Sequence, residues 1–206
     1  IGIGLNYAKH AAEGGIPVPE FPTTFTKFPS CLGGPNDPVA LPSAGVDWEV
    51  ELVVVIGVTA HKVGRADGWA HVAGLTIGQD LSERKVQMRP PVPQFNLGKS
   101  FPGFGPTGPW LVTPDELANP DDLALSCAVN GETMQDSRTS DLIFSVPALI
   151  EELSGIITLL PGDVIFTGTP EGVGMARKPP RFLAPGDEIV STIEGIGSMT
   201  TRLVAG

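Results

Sequence analysis

Cations, cysteines and long apolar runs are what this sequence is short of. Its 206 residues hold 13 Lys and Arg against 23 Asp and Glu, a formal charge of −10. That argues against nucleic acid as a partner, because phosphate binding draws its affinity from basic patches. No apolar run of roughly 18 residues occurs, so no membrane-spanning helix is expected. The two cysteines, Cys31 and Cys127, match no zinc or redox spacing. They read as reduced thiols of a cytoplasmic protein. No Asn-x-Ser/Thr triplet is present, which agrees with that compartment. The chain opens on Ile1 and not on Met, so its N-terminus is expected to be incomplete and any targeting segment out of view.

Glycine and proline are plentiful, at 26 and 21 residues. Together they approach the share, roughly a quarter, at which low-complexity disorder begins. The hydrophobic fraction of 41% opposes that reading, since disordered chains lack apolar residues. The expectation is a single globular domain over 1–206, rich in turns, with few and short helices. Pro-rich stretches at 15–45, 89–109 and 175–187 read as long loops, and loops of that length are usually functional.

Apolar and β-branched runs predict strands at Glu49–Ile56, Val72–Ile77, Leu123–Val129, Val164–Thr167, Glu188–Ile193 and Met199–Val204. Asn130-Gly131 is a hairpin signal, and Gly195-Ile196-Gly197 looks like a second hairpin loop. Two Pro-Gly-Asp turns, at 161–163 and 185–187, each precede a strand. The clearest helix starts at Ser145 with Pro147 in its first turn and runs to about Gly155. Shorter helices are expected at Tyr7–Glu13, Ala66–His71 and Pro114–Leu117. This order suggests an α+β fold with a mixed or antiparallel sheet.

Gly98-Lys99-Ser100 fails as a phosphate-binding loop, because Pro93 stands where glycine is needed. Gly2-x-Gly4 fails as a dinucleotide fingerprint, since Tyr7 follows where the motif wants glycine. There is no Gly-x-Ser-x-Gly elbow.

Glu49 and Glu51 lie two apart on a strand that is otherwise nearly all apolar, so both carboxylates face one side. Adjacent buried anions repel, and a hard divalent cation resolves the conflict. The alternative is a strand end emerging into solvent, with Asp47 and Glu49 outside. Asp80, just after the Val72–Ile77 strand, could complete a set of three ligands suited to Mg²⁺, and Ca²⁺ shares the preference for carboxylate oxygens. His10 and Glu13, three apart, share one face if helical, and such a pair can activate water or sit solvated on the surface. Lys99, in an apolar Gly-rich segment, could stabilise an oxyanion or be an exposed loop lysine. His61 and His71 have no such partner and read as structural.

Taken together, these segments resemble the catalytic domain of the fumarylacetoacetate hydrolase family. The resemblance runs through Gly4-Leu5-Asn6-Tyr7-Ala8-Lys9-His10-Ala11-Ala12-Glu13, then Phe25-Thr26-Lys27 with Ser30. It continues in Asp47-Trp48-Glu49-Val50-Glu51-Leu52, Gln79-Asp80-Leu81-Ser82-Glu83-Arg84 and Gly98-Lys99-Ser100-Phe101. Asn130-Gly131-Glu132 through Gln135 and Thr139, and Phe166 to Gly174, complete it. Gln79 departs from the Asn that many members carry there. Larger members also have an N-terminal domain, which is not in view here.

The resemblance implies a mixed β-sandwich roll, usually homodimeric, binding Mg²⁺ or Mn²⁺ and a 2-oxo acid or 1,3-dicarbonyl. It implies Glu49, Glu51 and Asp80 as metal ligands and Lys99 as the catalytic lysine. Arg84, Gln87 and Thr169 would contact substrate. The scheme that follows is C–C hydrolysis of an acylpyruvate or diketo acid, with His10 and Glu13 activating water. Alternatives are an isomerase or decarboxylase of 2-oxo-hexenedioate-type compounds of aromatic catabolism, or a non-catalytic metal or small-molecule binding protein. Met88–Pro93 and Met175–Phe182 are expected as pocket walls. Arg177, Lys178 and Arg181 in the latter would meet a second carboxylate or sit in solvent.

Overall fold

A computed structural model describes residues 1–206. The strands in chain order are β1 (Gly2–Gly4), β2 (Thr23–Phe25), β3 (Leu32–Gly33), β4 (Val39–Leu41), β5 (Val46–Asp47), β6 (Val50–Ile56) and β7 (Val72–Gln79). They continue as β8 (Ser82–Glu83), β9 (Gly105–Val112), β10 (Ala124–Val129), β11 (Glu132–Arg138), β12 (Val164–Phe166), β13 (Glu188–Ile193) and β14 (Gly197–Ala205). The α-helices are α1 (Ala8–Glu13), α2 (Arg84–Gln87), α3 (Phe95–Gly98) and α4 (Val146–Ile156).

Seven strands form one mixed sheet in the order β2-β1-β12-β6-β7-β9-β3, and five form another in the order β11-β10-β13-β14-β4. Most neighbours are antiparallel, but β1–β12, β3–β9 and β4–β14 are parallel. The sheets face each other, β6 against β10 and β7 against β13. Residues such as Leu52, Val54, Ile77, Leu125, Cys127 and Ile189 fill the space between, in one core cluster of 34 buried residues. This is the α+β mixed β-sandwich roll that the resemblance implied.

Local chemistry explains the elements that frame the site. Strand β6 is buried on nearly all its length, as a strand covered on both faces must be. The β10–β11 hairpin turns at Asn130 and Gly131, with φ of 52° and 81°. Those values are what a two-residue hairpin loop requires, and Asn-Gly supplies them at low cost. Helix α4 begins after Ser145 with Pro147 in its first turn. It buries Leu149, Ile150 and Leu153 against the core, each stabilising the fold by roughly 1.5–3 kcal/mol.

Two of the expected loops contain more structure than their composition implies. The 15–45 stretch holds β2, β3 and β4, and the 89–109 stretch holds α3 and the start of β9. Strand β9 reads Gly-Pro-Thr-Gly-Pro-Trp-Leu-Val, a poor strand by propensity. It forms because β7 on one side and β3 on the other supply pairing partners. Tertiary pairing overrides local preference there. The segments expected as short helices at Ala66–His71 and Pro114–Leu117 form 3₁₀ turns, at Arg65–His71 and Pro114–Glu116.

Candidate active site

The register of β6 on β7 assembles the acids. Val50 pairs with Gln79 and Glu51 with Gly78, and one step further the Asp80 amide donates to the Glu49 carbonyl at 2.9 Å. Asp80 therefore sits across from Glu49, on the side where Glu49 and Glu51 both point. Carboxylate oxygens of the three lie within 4.8 Å of one another, and all three residues are buried. The solvent-facing alternative for Asp47 and Glu49 is overturned, with exposures of 0% and 6%.

Three cations thread this cluster. Lys99 Nζ donates to Glu49 Oε2 and Asp80 Oδ2, both at 2.7 Å, and to Ser82 Oγ at 2.8 Å. Lys27 Nζ donates to Asp80 Oδ1 at 2.7 Å and also to the Lys99 and Phe104 carbonyls. Arg84 pairs with Glu49 Oε1 at 2.8 Å and with Asp47 Oδ2 at 2.7 Å. Buried charges persist only when paired in this way. Burial works against the Glu49 anion, but Lys99 and then Arg84 outweigh it and hold its pKa down at about 2. Glu51 is the outlier. Burial first, then Asp80 and Glu49, push its carboxyl well above the ordinary range. Its one hydrogen bond comes from the Gly168 amide at 2.8 Å. Lys99 also pays a desolvation penalty, yet Asp80 and Glu49 raise its pKa.

A cavity of about 360 Å³ opens above the cluster. Glu49, Lys99, Arg84, Gln87 and Thr169 border it, and so do His10 and Glu13. Every residue expected at the site therefore meets at this cavity, except that Glu51 and Asp80 lie beneath its lining. His10 Nδ1 is 3.2 Å from Glu13 Oε2, with side chains 18% and 23% exposed. Glu13 also accepts from the Gly172 amide at 3.0 Å. Gln87 Oε1 accepts from Arg84, while its amide nitrogen makes no hydrogen bond within the chain. The Thr169 hydroxyl is committed, donating to the Val50 carbonyl and accepting from Gln135. Apolar walls come from Ile3, Leu5, Ile16, Phe25, Phe95, Met88, Val173 and Met175.

Of the expected walls, Met88, Met175 and Ala176 reach the cavity. Arg177 and Arg181 do not. They pair with Glu132 on the outer surface. His61 and His71 lie outside the site, as expected, with Nδ1 near Thr158 Oγ1 and the Val58 carbonyl respectively.

Three residues that hold the site were not singled out by sequence. Lys27 and Asp47 carry charges with nothing nearby in the chain to mark them as buried. Gln135 is fully buried, accepting from the Val50 amide and donating to Thr169. The only available signal was their place in the motif segments themselves.

A buried, hydrogen-bonded acid triad beside an ordered lysine and a His–Glu pair, on a mixed β-roll, defines a family. The sequence model described as "Fumarylacetoacetate (FAA) hydrolase C-terminal" matches residues 1–204, and the chain belongs to that family. It is 48% identical over 204 residues to human "Oxaloacetate tautomerase FAHD2A, mitochondrial", covering 98% of this chain and 65% of that protein. The chain thus spans just under two thirds of that relative's length. Among solved structures, 5-carboxymethyl-2-hydroxymuconate delta-isomerase from Mycobacterium smegmatis superposes with a TM-score of 0.86 at 41% identity. All of this chain and 78% of that one are covered. Fumarylpyruvate hydrolase from Pseudomonas aeruginosa, in complex with Mn²⁺ and pyruvate, gives 0.89 at 33% identity. That match covers all of this chain and 88% of that one. Family members are thus enzymes, named as hydrolases, isomerases and tautomerases. No helix of this chain is long and apolar enough to cross a membrane.

Proposed function

We propose that this chain is the catalytic part of a divalent-cation-dependent hydrolase that cleaves the C–C bond of acylpyruvate-type diketo acids. The observation that carries this reading is the single cavity with two chemically different ends. The acid triad, Lys99 and Arg84 stand at the buried end, and the His10–Glu13 pair at the more exposed end.

Glu49, Glu51 and Asp80 fit a cation. Three hard oxygen donors converge, and burial, then Asp80 and Glu49, make the Glu51 anion costly in a way that a cation would relieve. Mg²⁺ is the cation we assign, with Mn²⁺ or Ca²⁺ as substitutes. Bound there, it would supply a Lewis acid for the oxygens of the 2-oxo acid. The chain's own residues do the rest. Arg84 and Gln87 orient the substrate carboxylate, and Thr169 shapes the wall beside it. With Glu13 accepting the Nδ1–H of His10, Nε2 is the basic nitrogen that takes a proton from water. The Lys99 ammonium, whose three N–H groups hold Glu49, Asp80 and Ser82, would redirect one of them to the oxyanion formed when that water attacks the distal carbonyl. Collapse of the oxyanion breaks the C–C bond and releases a carboxylic acid and the enolate of pyruvate, which takes up the proton held on His10. A homodimer is part of this proposal, and exposed Trp110, Leu111 and Leu32 at the β9–β3 edge suit burial between copies.

Charge and lining favour an apolar acyl end. Three carboxylates, Asp47, Glu49 and Asp80, already balance Lys27, Lys99 and Arg84. A dication that ionises Glu51 leaves one positive charge over, which one substrate carboxylate neutralises. A second carboxylate would face Ile16, Phe25, Phe95 and Met175 with no cation to meet it. The second reading is tautomerisation, isomerisation or decarboxylation of a 2-oxo dicarboxylate, where no water is consumed. The name of the 48% identical human relative, an oxaloacetate tautomerase, favours tautomerisation among these.

The test supplies acetylpyruvate, longer acylpyruvates and oxaloacetate, with Mg²⁺ and with EDTA. The expected result is Mg²⁺-dependent release of pyruvate and a carboxylic acid, faster with longer acyl chains. Enol–keto exchange of oxaloacetate without any cleavage of acylpyruvates would establish the second reading instead.

A further inference from the structure

Asp47 does not border the cavity, yet it touches more of what surrounds it than any other carboxylate. It is fully buried. Its Oδ2 accepts from Arg84 Nε at 2.9 Å, Arg84 Nη2 at 2.7 Å and the Met175 amide at 3.0 Å. Its Oδ1 accepts from the Gly174 amide at 2.7 Å and from its neighbour, the Trp48 amide, at 2.8 Å. One carboxylate thus binds the pocket arginine on one flank and the pocket-wall loop on the other.

We propose that Asp47 is a positioning residue for substrate binding: it sets which edge of Arg84 faces the cavity and pins the 172–176 loop beside it. The inference rests on the reading above, in which Arg84 meets the substrate carboxylate. A guanidinium is planar, with five N–H donors in a fixed fork. Asp47 takes the Nε–Nη2 edge, so Nη1 is the corner turned toward Glu49 and Gln87 at 2.8 and 2.9 Å.

The loop is built for the same contact. A Cβ at Gly174 would stand 2.7 Å from Asp47 Oδ1 and strike the Arg181 carbonyl, so only glycine brings this amide so close. Two residues earlier, the Gly172 amide donates to Glu13 and the Gly172 carbonyl accepts from Trp48 Nε1 at 3.1 Å. One short loop therefore ties the His–Glu pair to the Arg84 anchor.

Asp47→Asn keeps the shape but offers one acceptor oxygen, and turns an NH2 group against donors on one flank. The probes are Mn²⁺ alone and oxalate added to the Mn²⁺-loaded protein, both followed by calorimetry. The expected result is Mn²⁺ affinity within about twofold of wild type and oxalate affinity weakened by roughly 10- to 100-fold. In an Arg84→Ala background the same substitution should change oxalate affinity by less than about threefold, because the guanidinium it positions is gone and only its hold on the loop remains. Amide exchange at Gly174 and Met175 in the metal-free Asp47→Asn protein should quicken. If that variant does not fold, Asp47→Ser, smaller and with one acceptor, is read the same way. Unchanged oxalate affinity in a variant, or full additivity with Arg84→Ala, overturns the inference alone. Failure of wild-type protein to bind oxalate overturns it together with the functional reading beneath it.

Discussion

At the buried end of the cavity, Glu49 and Asp80 each have two cationic partners; at the open end, His10 and Glu13 have each other and one backbone amide. The first group sits at the adjoining ends of β6 and β7, the most extensively paired strands of the large sheet. The second rides on α1, six residues long and far below the roughly 12–15 that an isolated helix needs to persist. Buried Tyr7 and Ala11 hold that helix down. The contrast separates two kinds of work. Holding a cation and a carboxylate needs charges fixed in a poorly solvated place, which costs desolvation and must be over-determined by partners. Moving a proton to and from water needs access, so the dyad stays partly open and lightly tethered.

The sharpest way to break this comparison is to remove the cation. EDTA should lower turnover by roughly 10³-fold or more, with Mg²⁺ or Mn²⁺ restoring it. Activity that survives chelation would mean the acid triad is structural. Asp80→Ala strikes the buried end differently. It leaves Lys27 and Lys99 facing each other without their shared anion, and should cost about 3–5 kcal/mol in urea denaturation.

Lys99→Met should lower kcat by roughly 10²–10³. Because its ammonium occupies oxygens of Glu49 and Asp80, Mn²⁺ affinity should hold or rise, and a loss of affinity would recast Lys99 as a support for the metal. Smaller still, Glu13→Gln should lower kcat by roughly 10²-fold. Its stability should stay within about 0.5 kcal/mol, since the pair is partly exposed. An unchanged kcat for acylpyruvate cleavage would remove the water-activating role from the open end.

The same division was only half visible in the sequence. Strands β6, β7 and β13 announced themselves through branched apolar runs, and the hairpin at Asn130-Gly131 through its turn chemistry. Glu49, Glu51, Asp80, His10, Glu13 and Lys99 stood out because charge in an apolar or helical pattern needs a reason. Strand β9 was hidden, since Gly105, Pro106, Gly108 and Pro109 read as loop until β7 and β3 flank them. Lys27 and Asp47 were hidden for a different cause. Their partners lie 53 residues away at Asp80 and 37 at Arg84, and no local period records such a contact.

Protonation connects the buried end to pH. Glu49, held at about 2 against an ordinary 4.5, contributes stability that is present above 4.5 and is lost as pH falls toward 2. Glu51 has the opposite sign. Its folded value lies above 4.5, so the metal-free fold loses stability as pH rises past 4.5 toward that raised value. Cation binding needs Glu51 ionised, so affinity should climb over the same window, with a proton expelled for each ion bound.

Mn²⁺ titration of the wild-type protein and Glu51→Gln, in two buffers of different ionisation enthalpy, tests the central claim directly. The account predicts one site per chain with net proton release at pH below the raised Glu51 value, and no such release from Glu51→Gln, which binds more weakly. Equal binding by both proteins, or no binding by the wild type, would contradict it.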